Sequence, residues 1–279
     1  MRRTGVPFRW NVTSPRLPRR GTGRGVATPP EFQEKLLRTA ASVLRLAGDS
    51  ELVFVGRSLE NVFDFLSGAL AETSWRDRVH LVQLSLRSGS PGRIRRTIPG
   101  ALENLWLYFD HLSLTPPRIL DRPRRVAFVD LVFNGGTFES LLKVLRSWTG
   151  PEDWAQLVRR LLWVCVVERD HPDYSSWEPG FSEWTELFFR EQIRRVPIDW
   201  KLWRYLGEEQ EKTTDAYTPP RWPEGSLEGR RDESRLPAAR MARALFRLGC
   251  WWRRRLAAEL EGPTIPGPSL RALIGELRA

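Results

Sequence analysis

The sequence predicts an α/β fold, a parallel sheet flanked by helices, followed by a mostly helical, tryptophan-rich carboxyl-terminal extension. Three observations carry this. Val126-Ala-Phe-Val-Asp-Leu131 is an apolar run of strand length, as a strand covered on both faces requires. It leaves through Gly135-Gly136-Thr137, where glycine permits a tight turn, into a stretch of helical periodicity. Between residue 31 and about residue 170, strands alternate with helices, the pattern of a parallel sheet.

Residues 1–30 come first and stand apart. They hold seven arginines and no acid, with five prolines and a glycine-rich stretch, and so predict a disordered basic arm. Of the chain's net charge of +10, only +3 remains on the other residues. Two readings of the arm stay open: a tail without a partner, favoured by forty arginines beside four lysines, or an arm for nucleic acid or another acidic partner.

The α/β core spans residues 31–170. Phe32, Leu36, Leu37, Ala40, Val43 and Leu44 have helical spacing that ends at Gly48-Asp49. Leu52-Val-Phe-Val55 is a short buried strand closing in Gly56-Arg57-Ser58, and a helix with Val62, Phe63, Leu66 and Leu70 follows. Val79 to Leu86 reads as the next strand. A Gly-, Ser- and Arg-rich loop, residues 87–99, carries Arg93, Arg95 and Arg96, whose guanidinium forks suit phosphate oxygens. Ala101 to Leu114 is an amphipathic helix stopped by Pro116-Pro117. After the Val126 strand and its helix to about Trp148, a helix around Trp154 to Arg160 leads into the strand Leu162 to Glu168.

The extension, residues 171–279, gathers Trp177, Trp184, Trp200, Trp203, Trp222, Trp251 and Trp252. Large aromatics serve a core first, and the alternative is a lid stacking on a flat ligand. Gly180 to Arg195 and Lys201 to Gln210 read as helical, Thr213 to Gly229 as surface coil, and Leu236 to Glu261 as one amphipathic helix with an arginine face. Asp170, His171 and Asp173 read as turn residues before metal ligands.

Composition bounds the function class. Cys165 and Cys250 are far apart, which offers neither a zinc spacing nor a disulfide framework and suits a reducing, cytoplasmic compartment. Leu161 to Val167 is the longest apolar run and is too short to span a bilayer, so no membrane association is expected. Motifs for serine hydrolases, zinc proteases, P-loops and dinucleotide sites are missing.

The chemistry concentrates at the end of the Val126 strand. A helix beginning just after Gly136 directs unpaired amides and the positive dipole end toward the space above the sheet, where a phosphate can sit. Asp130 stands where the strand ends. Phe128-Val-Asp-Leu-Val-Phe-Asn-Gly-Gly-Thr137 resembles the phosphoribosyl pyrophosphate (PRPP) signature of type I phosphoribosyltransferases. Gly135, Gly136 and Thr137 agree with it; Asp130 takes the place of the second acid, Val129 replaces the first, and Asn134 stands where Thr is usual. The blocks Phe54 to Asn61, Phe128 to Thr137 and Trp200 to Gly207 also resemble a group of bacterial proteins with such a core and a carboxyl-terminal extension.

This resemblance implies a type I phosphoribosyltransferase-like sheet. It implies a 5′-phosphate site at Asn134, Gly135, Gly136 and Thr137, and a pyrophosphate site at Gly56, Arg57 and Ser58. A mobile loop would bring Arg93, Arg95 and Arg96, and Asp130 would be catalytic with Mg²⁺ as cofactor. The implied activity is binding of PRPP, or a related phosphorylated ribose or nucleotide, and phosphoribosyl transfer with loss of pyrophosphate. With Val129 in place of an acid, the alternative is a non-catalytic nucleotide- or phosphate-binding regulator, or a nucleic-acid or protein interaction module, on the same fold.

Overall fold

Glu51–Val55 (β1), Val79–Val82 (β2), Val126–Leu131 (β3), Leu161–Glu168 (β4) and Ile193–Ile198 (β5) form one sheet in the order β2-β1-β3-β4-β5. Every adjacent pair is parallel. The computed structural model describes Arg9, Val12 and residues 28–86, 90–169, 192–224, 233–262 and 265–279.

Both sheet faces are covered, which is why the strands are apolar almost without interruption. Leu52, Phe54, Ala127, Val129 and Val164 enter one core, with Pro30–Ala47 (α1) and Glu60–Ala69 (α2). Val53, Val55, Val126, Phe128 and Trp163 enter the other. There they meet Ala101–His111 (α4), Gly136–Ser147 (α6) and Pro151–Arg160 (α7), with the short helices Pro91–Thr97 (α3) and Pro116–Leu120 (α5) beside them. Trp200–Arg204 (α8) continues into a π-helical turn, Tyr205–Glu209, and Leu202, Tyr205 and Leu206 join the first core.

The carboxyl-terminal helices Leu236–Trp251 (α9), Arg253–Glu261 (α10) and Pro268–Arg278 (α11) add to the first core. All of α2 is buried, because α9 packs on the side turned away from the sheet. A Cβ on Gly68 would stand 1.8 Å from the Phe246 carbonyl oxygen, and one on Gly249 2.0 Å from that of Phe65. The two helices therefore meet backbone to backbone at glycine.

Several expectations are corrected. The fifth strand begins inside the stretch expected as helix, Gly180 to Arg195, so the sheet runs past residue 170; Ile193–Ile198 pairs with β4 despite two arginines and Pro197, a composition an edge strand tolerates. The second strand stops at Val82, because Ser85 turns its amide to the Tyr217 carbonyl and Gln83 takes its backbone partner from the Tyr108 hydroxyl. The expected arginine loop contains α3, started by Ser90 accepting from the Arg93 amide and by Pro91 at the first helical position. The long final helix is broken at Trp252. Thr213 to Glu224 is not surface coil: Thr213, Thr214, Tyr217 and Trp222 are buried.

Arg9 corrects the picture of a free basic arm. Its guanidinium is buried and donates to both carboxylate oxygens of Asp64 in α2 at 3.0 Å. Val12 accepts a hydrogen bond from Arg243 of α9. The remainder of residues 1–27 lies outside the described residues, as do Asp170, His171, Asp173, Trp177 and Trp184. Both cysteines are free thiols, and no helix among the described residues is long and apolar enough to cross a membrane.

Candidate functional site

The strand order reverses direction at β1 and β3, and ligands of open α/β sheets bind beyond the strand ends at such a point. Two glycine turns meet there. After β3, Gly135 adopts φ 79°, a left-handed conformation that costs glycine little, and the chain turns directly into α6. Asn134 Oδ1 accepts from the Gly136 amide at 3.2 Å, which fixes the turn. Asp130 is buried, and its Oδ1 accepts from the Leu131 amide at 2.8 Å.

These residues line a cavity of about 620 Å³, within the roughly 300–1,000 Å³ of small-molecule sites. Asp130, Asn134, Gly135, Gly136 and Thr137 all contribute to its wall, with Leu86 and Ser90 opposite. Asn134 to Thr137, consecutive in the chain, thus share one cavity wall with Asp130. Lys143 is the one basic residue of the wall among the described residues, and its Nζ lies 2.6 Å from Glu139, one helical turn away. The wall also carries Phe133, which is exposed and whose ring meets Trp203 of α8.

The turn after β1 is arranged differently. Gly56, at φ 74°, donates its amide to the Val82 carbonyl, and a Cβ there would stand 3.2 Å from the Leu84 carbonyl oxygen. Arg57 donates through Nη1 to the Thr214 carbonyl at 3.0 Å, and Gln210 donates to the Ser58 carbonyl. Residues 210–217 thereby form a strap over this turn. Gly56, Arg57 and Ser58 do not line the cavity. Neither do Arg93, Arg95 and Arg96, which are exposed on α3.

Beneath the strap lies a buried polar network that the sequence reading missed. Glu60 accepts from Gln83 Nε2 at 2.7 Å and from both the amide and hydroxyl of Thr213 at 2.9 Å. Thr214 Oγ1 donates to Gln83 Oε1 at 3.0 Å. Lys212 donates to the Leu206 carbonyl at 2.7 Å, and burial pushes its ammonium down to about 8, against the pull of Glu60 and Asp130. The available signal was Glu60 and Asp64 in a helix that is otherwise mostly apolar, since buried acids need partners.

Magnesium is usually held by one or two carboxylates together with phosphate oxygens. Among the described residues two carboxylates belong to the cavity wall: Glu139, drawn to Lys143, and Asp130, whose Oδ1 accepts from the Leu131 amide and which would be the one to meet a magnesium ion carried in with a phosphate. Among the described residues, no cluster of three or more His, Cys, Asp or Glu side chains is placed to hold a metal by itself. Burial raises the Cys165 thiol above its ordinary range, with the Asp130 charge adding to it, which disfavours the thiolate.

No protein-family model, no curated protein and no solved structure matches this chain.

Proposed function

We propose that the chain binds a phosphorylated ribose or a nucleotide at the carboxyl end of β3, with the phosphate against the first turn of α6. One observation carries this reading: a nucleotide-sized cavity whose wall joins Asp130 to the Gly135-Gly136-Thr137 helix start. Backbone amides and the positive end of a twelve-residue helix favour an anion there. The resemblance to the PRPP signature, stated from the residues alone, points to the same loop.

Binding without ribosyl transfer is the reading we favour. Arg57, which transfer would need on the departing pyrophosphate, is engaged by the Thr214 carbonyl beneath the strap. Phosphoribosyl transfer with Mg²⁺ is the second reading, and Asp130 favours it, as a carboxylate in the cavity at the position of the signature's second acid.

Calorimetry separates these. Ribose 5-phosphate and PRPP with Mg²⁺ are titrated into the wild type, Gly136→Val and Asp130→Ala. A Cβ at Gly136 meets only Asn134 Oδ1 among the described residues, at 3.4 Å, so a side chain there is expected to crowd the phosphate without disturbing the fold, which a urea midpoint of the valine variant checks. Binding by the wild type and its loss in Gly136→Val are expected. Equal affinity for the two ligands supports binding alone, and much tighter PRPP binding that depends on Asp130 supports transfer. Absence of binding by the wild type at millimolar ligand overturns the proposal.

A further inference from the structure

The sequence from Arg87 to Leu102 holds four arginines and no acid. Three of them, Arg93, Arg95 and Arg96, are exposed on α3, and among the described residues none of the three has an ion pair or a side-chain hydrogen bond. Lys143 and Arg204, by contrast, have Glu139 and Glu209. Local structure accounts for part of this. Cations in a last turn complement the helix dipole, which suits Arg95 and Arg96, whereas Arg93 lies in the first turn, where a positive charge is unfavourable. Arg93 and Arg96, three residues apart, are also neighbours on the helix surface, so their charges repel. An anion from outside relieves both.

This helix adjoins the β3 cavity. Ser90, its N-cap, belongs to the cavity wall, and buried Ile94 shares a core with Phe138 of the same wall. Arg93 follows Ser90 closely, its amide donating to Ser90 Oγ at 3.3 Å. A Cβ on Gly92 would lie 3.9 Å from Arg96 Nη1, so the Arg96 guanidinium is turned back along α3 toward Ser90 and the cavity.

We propose that Arg93 and Arg96 hold backbone phosphates of a single-stranded nucleic acid whose terminal 5′-phosphate lies against α6. This rests on the phosphate site proposed above and names its ligand as the end of a strand rather than a free nucleotide. Repeating phosphates make a strand the polyanion that continues outward from a nucleotide seated in the cavity, and α3 is a cationic surface beside it. An unpaired end enters such a cavity without the cost of breaking a base pair.

The test compares a 5′-phosphorylated oligothymidylate of about ten nucleotides, its 5′-hydroxyl form and thymidine 5′-monophosphate on the wild type and on the double variant Arg93→Gln, Arg96→Gln. The wild type is expected to bind the phosphorylated strand about tenfold or more tightly than either comparison ligand. The double variant should lose the advantage over the monophosphate, and its salt slope should fall by about 1.4, about 0.7 for each of two phosphates. It keeps residues 1–30, so strand binding by that arm would survive in it. Both side chains are exposed, so the fold is kept, which a urea midpoint verifies. Where the monophosphate binds, equal affinity for strand and monophosphate, indifference to the 5′-phosphate, or a salt slope unchanged in the variant overturns the track and leaves the phosphate site standing. Failure of all three ligands to bind at millimolar concentration overturns both.

Discussion

Arg57 and Thr214, 157 residues apart, are joined by a 3.0 Å hydrogen bond from guanidinium to backbone carbonyl. The bond ties the turn after β1 to a strap from the carboxyl-terminal third, and Gln210 and Thr213 close it from either side through Ser58 and Glu60. The two glycine turns at the switch point therefore differ in availability. The β3 turn opens on a cavity; the β1 turn is occupied by the protein's own chain.

Glu60 is expected to hold the strap. It accepts three hydrogen bonds in a buried site, and Glu60→Ala leaves the Thr213 amide and Gln83 Nε2 without acceptors. At roughly 1–3 kcal/mol for each buried unsatisfied group, a loss of about 3 kcal/mol is expected, with faster amide exchange over residues 210–217. Glu60→Gln should cost less, since flipping the Gln83 amide and turning the Thr214 hydroxyl restores most partners. Urea unfolding and hydrogen exchange check both; unchanged exchange in the strap would place its anchor elsewhere.

Lys212 gives the strap a pH dependence. Its ammonium titrates near 8 in the fold and about 10.4 in the unfolded chain. The charged form is the one the fold disfavours, so the penalty is complete below pH 8 and fades as pH rises toward 10.4. Wild-type stability relative to Lys212→Met should therefore rise between pH 8 and 10. Urea midpoints at pH 7.5, 8.5 and 9.5 measure the difference, and parallel profiles would refute it.

What the sequence made legible follows how local each feature is. The β3 to α6 turn is decided by adjacent residues, an apolar run, an acid and Gly-Gly-Thr, and these make Asp130 and Asn134 to Thr137 legible, whereas Leu86, Ser90 and Lys143 of the same wall come from outside the turn. The strap was hidden because its bonds cross more than 130 residues. Ile193–Ile198 was hidden because an edge strand needs apolar residues on few positions, and its arginines and proline obscured the alternation. Ser90-Pro91 did signal the start of α3, but the surrounding glycines and arginines were read as loop. The burial of Arg9 depends on Asp64, 55 residues away, and the composition of residues 1–30 carries no trace of it.

The Arg9–Asp64 pair makes a further prediction. The side chains are 2% and 1% exposed, and burial holds the Asp64 carboxyl up to about 6 although Arg9 pulls it down. Arg9→Ala leaves a buried acid without its cation, at a cost of about 3–5 kcal/mol near neutral pH. Without Arg9 the carboxyl rises further. An acid raised in the fold contributes stability below its unfolded value near 3.9 and loses it as pH climbs through the folded value. The cost of Arg9→Ala should thus be smaller at pH 5 than at pH 8. A double variant with Asp64→Leu should recover much of it, measured by urea unfolding.

Glycine at the α2–α9 crossing separates packing from propensity. Gly249→Ala places a Cβ 2.0 Å from the Phe65 carbonyl oxygen and 2.7 Å from the Ala69 amide, so the helices must part. Overpacking against backbone should cost about 3 kcal/mol or more. Gly275 in α11 has nothing within 4 Å of its Cβ position, and Gly275→Ala should stabilise by about 0.5–1 kcal/mol. Opposite shifts of the two urea midpoints are expected, and a mild Gly249→Ala would mean that the crossing is looser than described.

Thr137→Asp sets helix stability against anion binding at one position. Thr137 is the second residue of α6, where a carboxylate interacts favourably with the helix dipole and adds about 0.3–1 kcal/mol. The same charge repels a phosphate at that helix end. Stability should hold or rise while affinity for ribose 5-phosphate falls tenfold or more, a difference of about 1.4 kcal/mol. Thr137→Ser keeps the hydroxyl and should bind as the wild type does. Melting curves separate this from unfolding, because a variant that loses the ligand by losing its fold cannot also melt higher. Undiminished binding by Thr137→Asp would move the phosphate away from α6.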